Sequence, residues 1–424
     1  MLIKTLALTN IRAFNHAEIT FQPGMNLIVG INGVGKSTIL DGLRILLSQS
    51  LPKLSQVRSK PLDFKVSDIT IGQGSLTGGL IFQVADIEFR YLRHQPREKY
   101  VAPTNSTSET GGNVDRRVLT PNDAKTLKSV KNSQRQPIAL YFSTRRALAT
   151  INIQTKSKNS AFSNPLDHRE LRLPEFADWF FAQKQLVLEN APNAQGHLTA
   201  LEIAVKNFID TFAYLVVERD SNLHQDKQGN VTRRFQVTFL IEKSGIELDI
   251  LQLSDGERGI LALVLDITRR LSQANPNLKD PLQAQAVVLI DELDLHLHPQ
   301  WQRSIVSKLT TTFPNCQFIA TTHSPLIIGE VAPESVILIA ENGEIIHPNQ
   351  SLGMDTDWIL KYIMGATTRH TETTLELQRI ADLIEAEDYD EATDAIDILR
   401  ETIGEFPELV RLQTRIDRFQ MLGG

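Results

Sequence analysis

The stretch Gly30-Ile31-Asn32-Gly33-Val34-Gly35-Lys36-Ser37 decides the fold, because it lies between a short apolar run, Asn26-Leu27-Ile28-Val29, and the helical pattern of Thr38 to Leu47. Strand, glycine loop and helix in that order make the Walker A arrangement. The glycines let successive backbone N–H groups turn toward phosphate, and the helix N-terminus adds the positive end of its dipole. In this pattern Lys36 reaches the β- and γ-phosphates, and the Ser37 hydroxyl is a ligand for Mg²⁺. Asn32, Gly33, Gly35 and Thr38 complete the cradle. The implied ligands are ATP and Mg²⁺.

Outward from the loop, Leu2 to Leu8 and His16 to Phe21 alternate as half-buried strands do, with a turn near Pro23-Gly24. Asp68 to Arg93 reads as further strands. Arg97 to Gln136 is rich in Ser, Thr, Asn, Gly and Lys without hydrophobic period, which predicts a mobile insertion. Strand character returns at Pro137 to Phe142. Leu173 to Val217 has helical spacing broken near Pro192, and Phe235 to Ile250 reads as a hairpin turning near Lys243-Ser244-Gly245. The last third alternates: Ile260 to Ser272 helix, Ala286 to Ile290 strand, Gln300 to Thr312 helix, Gln317 to Thr321 strand. That alternation predicts a parallel sheet flanked by helices. After Thr371 come short amphipathic helices with breaks near Glu387-Asp388-Tyr389 and Pro407.

Val287-Val288-Leu289-Ile290-Asp291-Glu292 is an apolar strand ending in two acids, the Walker B form. Asp291 belongs to the Mg²⁺ shell, and Glu292 orients and deprotonates the attacking water. Leu253-Ser254-Asp255-Gly256-Glu257-Arg258 opens a helix, and Ser-Asp-Gly-Glu is by itself also a good N-cap sequence. With Thr321-Thr322-His323-Ser324-Pro325, these motifs follow the order of ABC ATPases, and the chain resembles their SMC-like and RecF-like members. The resemblance implies that Ser254 and Gly256 contact nucleotide held by a second subunit, so that the chain works as a homodimer or higher oligomer. It makes His323 the γ-phosphate sensor. Gln73, in Gly72-Gln73-Gly74, stands where a Q-loop glutamine approaches nucleotide and metal, and Arg12 matches an arginine that approaches nucleotide. A turn residue and a surface arginine are the competing readings of these two.

Leu293-Asp294-Leu295-His296-Leu297-His298-Pro299-Gln300-Trp301-Gln302, with Phe313-Pro314-Asn315-Cys316-Gln317-Phe318, resembles the stand-alone ATPases of bacterial anti-phage systems, the PtuA-like proteins of Septu and retron-associated systems. The His-x-His pair also permits a metal reading. The resemblance implies a separately encoded HNH nuclease as partner and no nuclease domain in this chain. A DNA repair ATPase of the RecF kind, an ATP-binding regulator with negligible turnover and a transporter's nucleotide-binding subunit are the alternatives. The wide spacing between Lys36 and Ser254 counts against the last.

The expected fold is α/β, an ABC-type P-loop ATPase head with a mixed sheet flanked by helices, a compact inserted helical region and a C-terminal helical extension. Residues 1–95 and 233–368 are the two parts of the head, 96–232 the insertion and 369–424 the extension. With 424 residues and 41% hydrophobic side chains, the chain has ample length for a buried core. Its longest apolar runs fall short of the roughly 20 residues of a membrane helix, and a cytoplasmic protein is expected. One cysteine, Cys316, excludes an intrachain disulfide and a cysteine zinc cluster. The net charge of −6 argues against a chain that coats nucleic acid throughout. Charge is uneven: roughly seven excess positives between Pro96 and Glu170, where with Arg145 and Arg146 DNA or RNA contact is an alternative to a solvated loop, and roughly nine excess negatives after Thr371.

Overall fold

The computed structural model describes residues 1–57, 60–98, 115–133, 135–144, 148–149, 161–162, 165–167, 171–209, 212–225, 231–243, 245–367 and 370–422. Arg145 and Arg146, and most of the basic stretch around them, lie outside the described residues. Two compact units are present, Met1–Thr356 and Asp357–Gly424.

In chain order, β1 (Leu2–Ile11) and β2 (Phe14–Thr20) precede β3 (Met25–Gly30), which runs into α1 (Lys36–Leu54). Next come β4 (Ser75–Val84), β5 (Ile87–Pro96), β6 (Arg116–Thr120), α2 (Ala124–Lys131), β7 (Ala139–Phe142) and a short parallel pair, β8 (Leu148–Ala149) with β9 (Leu171–Arg172). They are followed by α3 (Leu173–Leu188), α4 (Ala194–Phe208), β10 (Phe212–Gln225), β11 (Val231–Lys243), β12 (Ile246–Asp249) and α5 (Asp255–Ala274). The first unit closes with β13 (Val287–Ile290), α6 (Pro299–Thr312), β14 (Gln317–Thr321), α7 (Pro325–Ile328), β15 (Val336–Ile339) and β16 (Ile345–Ile346). α8 (Thr356–Tyr362) leads to α9 (Thr371–Glu385), α10 (Tyr389–Ile403) and α11 (Pro407–Leu422).

Three of these sheets organise the first unit. An antiparallel sheet runs β2-β1-β4-β5-β6, a six-stranded sheet runs β16-β15-β3-β14-β13-β7, and β10-β11-β12 form a third. In the six-stranded sheet all neighbours pair in parallel except β16. Every residue of β3, β13 and β14 is buried, as expected of parallel strands covered on both faces. α1 packs against strands of both large sheets, and its apolar face is fully buried: Ile39, Leu40, Leu43, Leu46, Leu47 and Leu51 are each at most 1% exposed. Such a stripe at helical spacing is what a helix turns toward a core. Gly42 permits the approach, since a Cβ there would sit 3.0 Å from the Leu8 side chain.

Some elements differ from the sequence reading. The helical spacing proposed to Val217 stops at Phe208, and β10 starts at Phe212: Phe-Ala-Tyr-Leu-Val-Val is an unbroken apolar run rich in strand formers, which a period test cannot separate from a helix. The stretch read as a mobile insertion contains β6 and α2, the latter capped by Asp123 accepting from the Thr126 N–H. Ala139–Phe142 supplies the edge strand of the six-stranded sheet. Cys316 sits one residue before β14, where burial pushes its thiol up to about 12. In the second unit α9 to α11 share a core of Ile380, Ile384, Ala392, Ile396, Leu409 and Ile416. A positive-φ turn at Glu387 separates α9 from α10.

Candidate nucleotide site

Parallel pairing places the carboxyl ends of β3, β14, β13 and β15 along one edge of the sheet, where open α/β sheets bind ligands. The loop after β3 is shaped by its glycines. Gly30, Gly33 and Gly35 have φ of +154°, +84° and +121°. A Cβ on Gly30 would meet the Ile339 carbonyl oxygen at 2.7 Å, and one on Gly35 would meet the Phe14 ring at 2.7 Å. The loop is thus wedged between β15 and the antiparallel sheet, and side chains are excluded where it is tightest. Ile31, Asn32, Gly33 and Ser37 are exposed, whereas Lys36 and Thr38 are buried. No side chain caps α1, whose N-cap is Gly35; in its first turn the Thr38 N–H donates to the Gly35 carbonyl at 2.9 Å.

Lys36 Nζ donates to the carbonyls of Gly30 at 2.7 Å and Ile31 at 2.8 Å. Burial pulls its pKa below the ordinary lysine value, while Glu292, Asp291 and Asp294 act the other way. Those acids follow β13. The Asp291 N–H donates to the Phe142 carbonyl at 2.8 Å, and Asp291 Oδ1 accepts from the Thr321 hydroxyl at 2.8 Å. Glu292 has φ +49°, an uncommon conformation for a residue with a side chain, and its N–H donates to Thr321 Oγ1 at 2.7 Å. Tyr141, on the neighbouring β7, has its phenol pushed up by burial and then by Asp291, with the Arg44 guanidinium 4.8 Å from its ring centroid.

Asp294 ties this segment to the switch region: its Oδ1 accepts from the Thr322 hydroxyl at 2.7 Å and from the His323 N–H at 3.2 Å. His323 is half-buried, and Ser324 caps α7 by accepting from the Ile327 N–H. His298 Nδ1 accepts from the Gln300 N–H and so caps α6. Among the described residues no three His, Cys, Asp or Glu side chains converge as metal ligands. A Ser37 hydroxyl and an Asp291 carboxylate are nonetheless a donor set that suits Mg²⁺, which takes most of its ligands from phosphate and water.

The capping reading of Ser254 is realised: its side chain accepts from the Glu257 N–H, and Glu257 Oε2 accepts from the Ser254 N–H at 3.1 Å, a capping box. Gly256 meets its own chain closely, since a Cβ there would lie 2.4 Å from the His296 carbonyl oxygen. Arg12, at φ +51°, is held by Asp68 at 3.0 Å and Asp41 at 2.9 Å. Burial acts to lower its pKa, and the hydrogen bonds to the two acids outweigh that and raise it. Asp41 lies one turn beyond Ser37, so Arg12 braces the start of α1. Gln73 lies exposed in a turn, its N–H donating to Thr70 O at 3.0 Å and its carbonyl accepting from Arg97. Sequence reading assigned no role to Thr321, Thr322 or Asp294. Nothing in their spacing signals one, because their partners lie 28 to 30 positions away.

A family profile described as "AAA domain, putative AbiEii toxin, Type IV TA system" matches residues 25–329. The chain is 28% identical to "Retron Vc95 probable ATPase" of Vibrio cholerae serotype O1 biovar El Tor, over 80% of this chain and 73% of that protein. It is 26% identical to "Retron Ec83 probable ATPase" of Escherichia coli, over 91% and 81%. With "Septu protein PtuA" of Bacillus thuringiensis it shares 24% identity over 97% and 98%. Among solved structures, an SMC head bound to the C-winged helix domain of ScpA superposes with a TM-score of 0.48 at 14% identity, covering 83% of this chain and 98% of that one.

Proposed function

Because the chain belongs to the AAA-domain family whose profile covers residues 25–329, we propose that it binds ATP with Mg²⁺, hydrolyses it, and closes as a homodimer or higher oligomer around the nucleotide. The observation that carries this reading is the meeting, at one sheet edge, of the glycine loop and Lys36 with Asp291, Glu292 and Asp294, near enough for the acids to act on the Lys36 charge.

On this reading the N–H groups of Asn32 to Lys36 and the first turn of α1 bind phosphate oxygens. Lys36 exchanges its two loop carbonyls for the β- and γ-phosphates, and Thr38 supports the first turn. Ser37 and Asp291 would hold Mg²⁺, which would offset phosphate charge when bound. Glu292 takes the proton of the attacking water. His323, aimed by Asp294, contacts the γ-phosphate. Ser254 and Gly256 complete the site of a second copy. Gln73 and Arg12 lie at its margin, Arg12 acting through α1.

Similarity to retron and Septu proteins over most of the chain supports a role in anti-phage defence, in the cytoplasm, with ATP occupancy gating a separately encoded HNH-type nuclease. On this scheme 1–95 and 233–368 form most of the ATPase head, 96–232 is an insertion that also lends the head β6 and β7, and 369–424 is an extension. No helix among the described residues is long and apolar enough to cross a membrane.

The test measures ATP turnover and assembly mass together, for wild type and Glu292→Gln, with and without ATP and Mg²⁺. Loss of a general base costs about 10²- to 10⁴-fold in turnover, and the variant is expected to accumulate as an ATP-bound assembly. A wild-type chain that neither turns over ATP nor changes mass with it would refute the reading.

A further inference from the structure

We infer that Thr321 is a positioning residue for the acidic pair, setting the roll of the Asp291 carboxylate and the backbone of Glu292 through one hydroxyl. The inference rests on the proposed ATPase reading and deepens it. Thr321 ends β14 and is 1% exposed. Its Oγ1 donates to Asp291 Oδ1 at 2.8 Å and accepts the Glu292 N–H at 2.7 Å, and its carbonyl accepts the Leu293 N–H at 2.8 Å. One residue therefore engages three consecutive positions of the neighbouring segment.

The geometry gives each bond a separate task. A hydroxyl has one proton, and here it points at Oδ1, which restrains the carboxylate's rotation. The lone pair that accepts the Glu292 N–H does so where Glu292 stands at φ +49°, a conformation needing support from its surroundings. Thr322 continues the arrangement on the next position, donating to Asp294 Oδ1 at 2.7 Å. The two threonines thus divide the work, Thr321 serving the acids proposed to meet metal and water, and Thr322 the acid that holds the His323 backbone. Ser or Thr at 321 satisfies both bonds, whereas Val, of nearly the same shape, satisfies neither.

Outer partners of metal-binding acids typically change metal affinity or activity by about 10- to 100-fold when removed. The experiment uses the full chain as wild type, Thr321→Val and Thr321→Ser. Mn²⁺ serves as the probe, its binding in the presence of ATP followed by electron paramagnetic resonance, and amide hydrogen exchange is read at Glu292 without any ligand. For Thr321→Val we expect Mn²⁺ affinity to fall about tenfold or more, ATP affinity without metal to stay at the wild-type value, and the Glu292 amide to exchange about tenfold faster. Thr321→Ser is expected to keep all three. A Val variant that matches wild type in Mn²⁺ affinity and exchange overturns the inference, as does a Ser variant that fails equally, because the methyl group rather than the hydroxyl would then be responsible. A wild-type chain that binds no Mn²⁺ with ATP sinks the ATPase reading instead, and the Glu292 exchange rates of the three proteins still decide the role of the hydroxyl.

Discussion

Replacing Gly256 with alanine tests how closely the start of α5 is fitted to the segment after β13. The added Cβ would stand 2.4 Å from the His296 carbonyl oxygen and 3.4 Å from its carbon, where ordinary contact begins near 3.4 Å. The two backbones must therefore separate by about 1 Å, and neither side gives easily. His296 is itself at φ +60°, between turns closed by the Leu295 N–H on Glu292 O at 3.0 Å and the Leu297 N–H on Asp294 O at 3.0 Å. A shift at 296 is therefore passed back to the two acids. Overpacking of this kind costs about 1–3 kcal/mol, which lowers Tm by a few degrees in a unit of this size. A displacement of about 1 Å near reacting groups costs on the order of 100-fold in turnover. Thermal unfolding without nucleotide reads the first quantity, and phosphate release from ATP reads the second. Asp255→Ala is the control, since Asp255 is exposed and paired with Arg258 on the outer face of the same turn. A Gly256→Ala protein with wild-type Tm would refute the crowding argument. Lost turnover at unchanged Tm would shift the role of Gly256 from its own chain to the partner copy.

The capping box predicts that Ser254→Ala lowers stability by about 1 kcal/mol in denaturant titrations, whereas Ser254→Thr, which keeps a hydroxyl to accept from the Glu257 N–H and donate to Glu257 Oε2, retains most of it. If Ser254 also meets a partner's phosphate, Ser254→Ala loses ATP-dependent assembly at temperatures where it is still fully folded, which mass photometry would show. His197, 3% exposed, has its pKa held below the ordinary 6.5 by burial, against the opposing effect of its hydrogen bond to Leu278 O. The unfolded chain takes up that proton more readily than the native one, so the contribution of His197 is complete above about pH 6.5 and is lost as pH falls through the lowered native value. Wild type should therefore lose more stability than His197→Gln between about pH 7 and pH 5, and parallel pH profiles for the two proteins would contradict this.

Local sequence revealed those parts of the fold that local physics determines. The glycine loop, the strand before it and the helix after it are legible because each depends on residues within one turn of the chain. β13 and β14 are legible because fully buried parallel strands are continuous apolar runs. The same property made Phe212–Val217 ambiguous, and only the pairing of β10 with β11 along their length settles it as strand. Both readings of Ser-Asp-Gly-Glu were available at the outset; the structure realises the capping box, a contact among near neighbours. Arg12 stands out by its position, yet its partners Asp41 and Asp68 lie 29 and 56 residues further on. Thr321 is hidden in the sequence for the same reason. A hydroxyl at a strand end carries no pattern until tertiary pairing brings an acid beside it.

The strand that carries the glycine loop has a further consequence during synthesis. β3 is flanked by β14 and β15, and the Asn26 amide donates to Phe318 O, 292 positions away. At the roughly 5–20 residues per second of translation, β3 leaves the ribosome some 15–60 s before either flanking strand exists. Through that interval Leu27, Ile28 and Val29, all fully buried in the finished protein, have no sheet to join, and the edges of β3 lie open to any other unpaired strand. Long-range pairing of this kind is slow to form. The chain is therefore expected to depend on chaperones while it is being made, and to aggregate when translation stalls between α1 and β14.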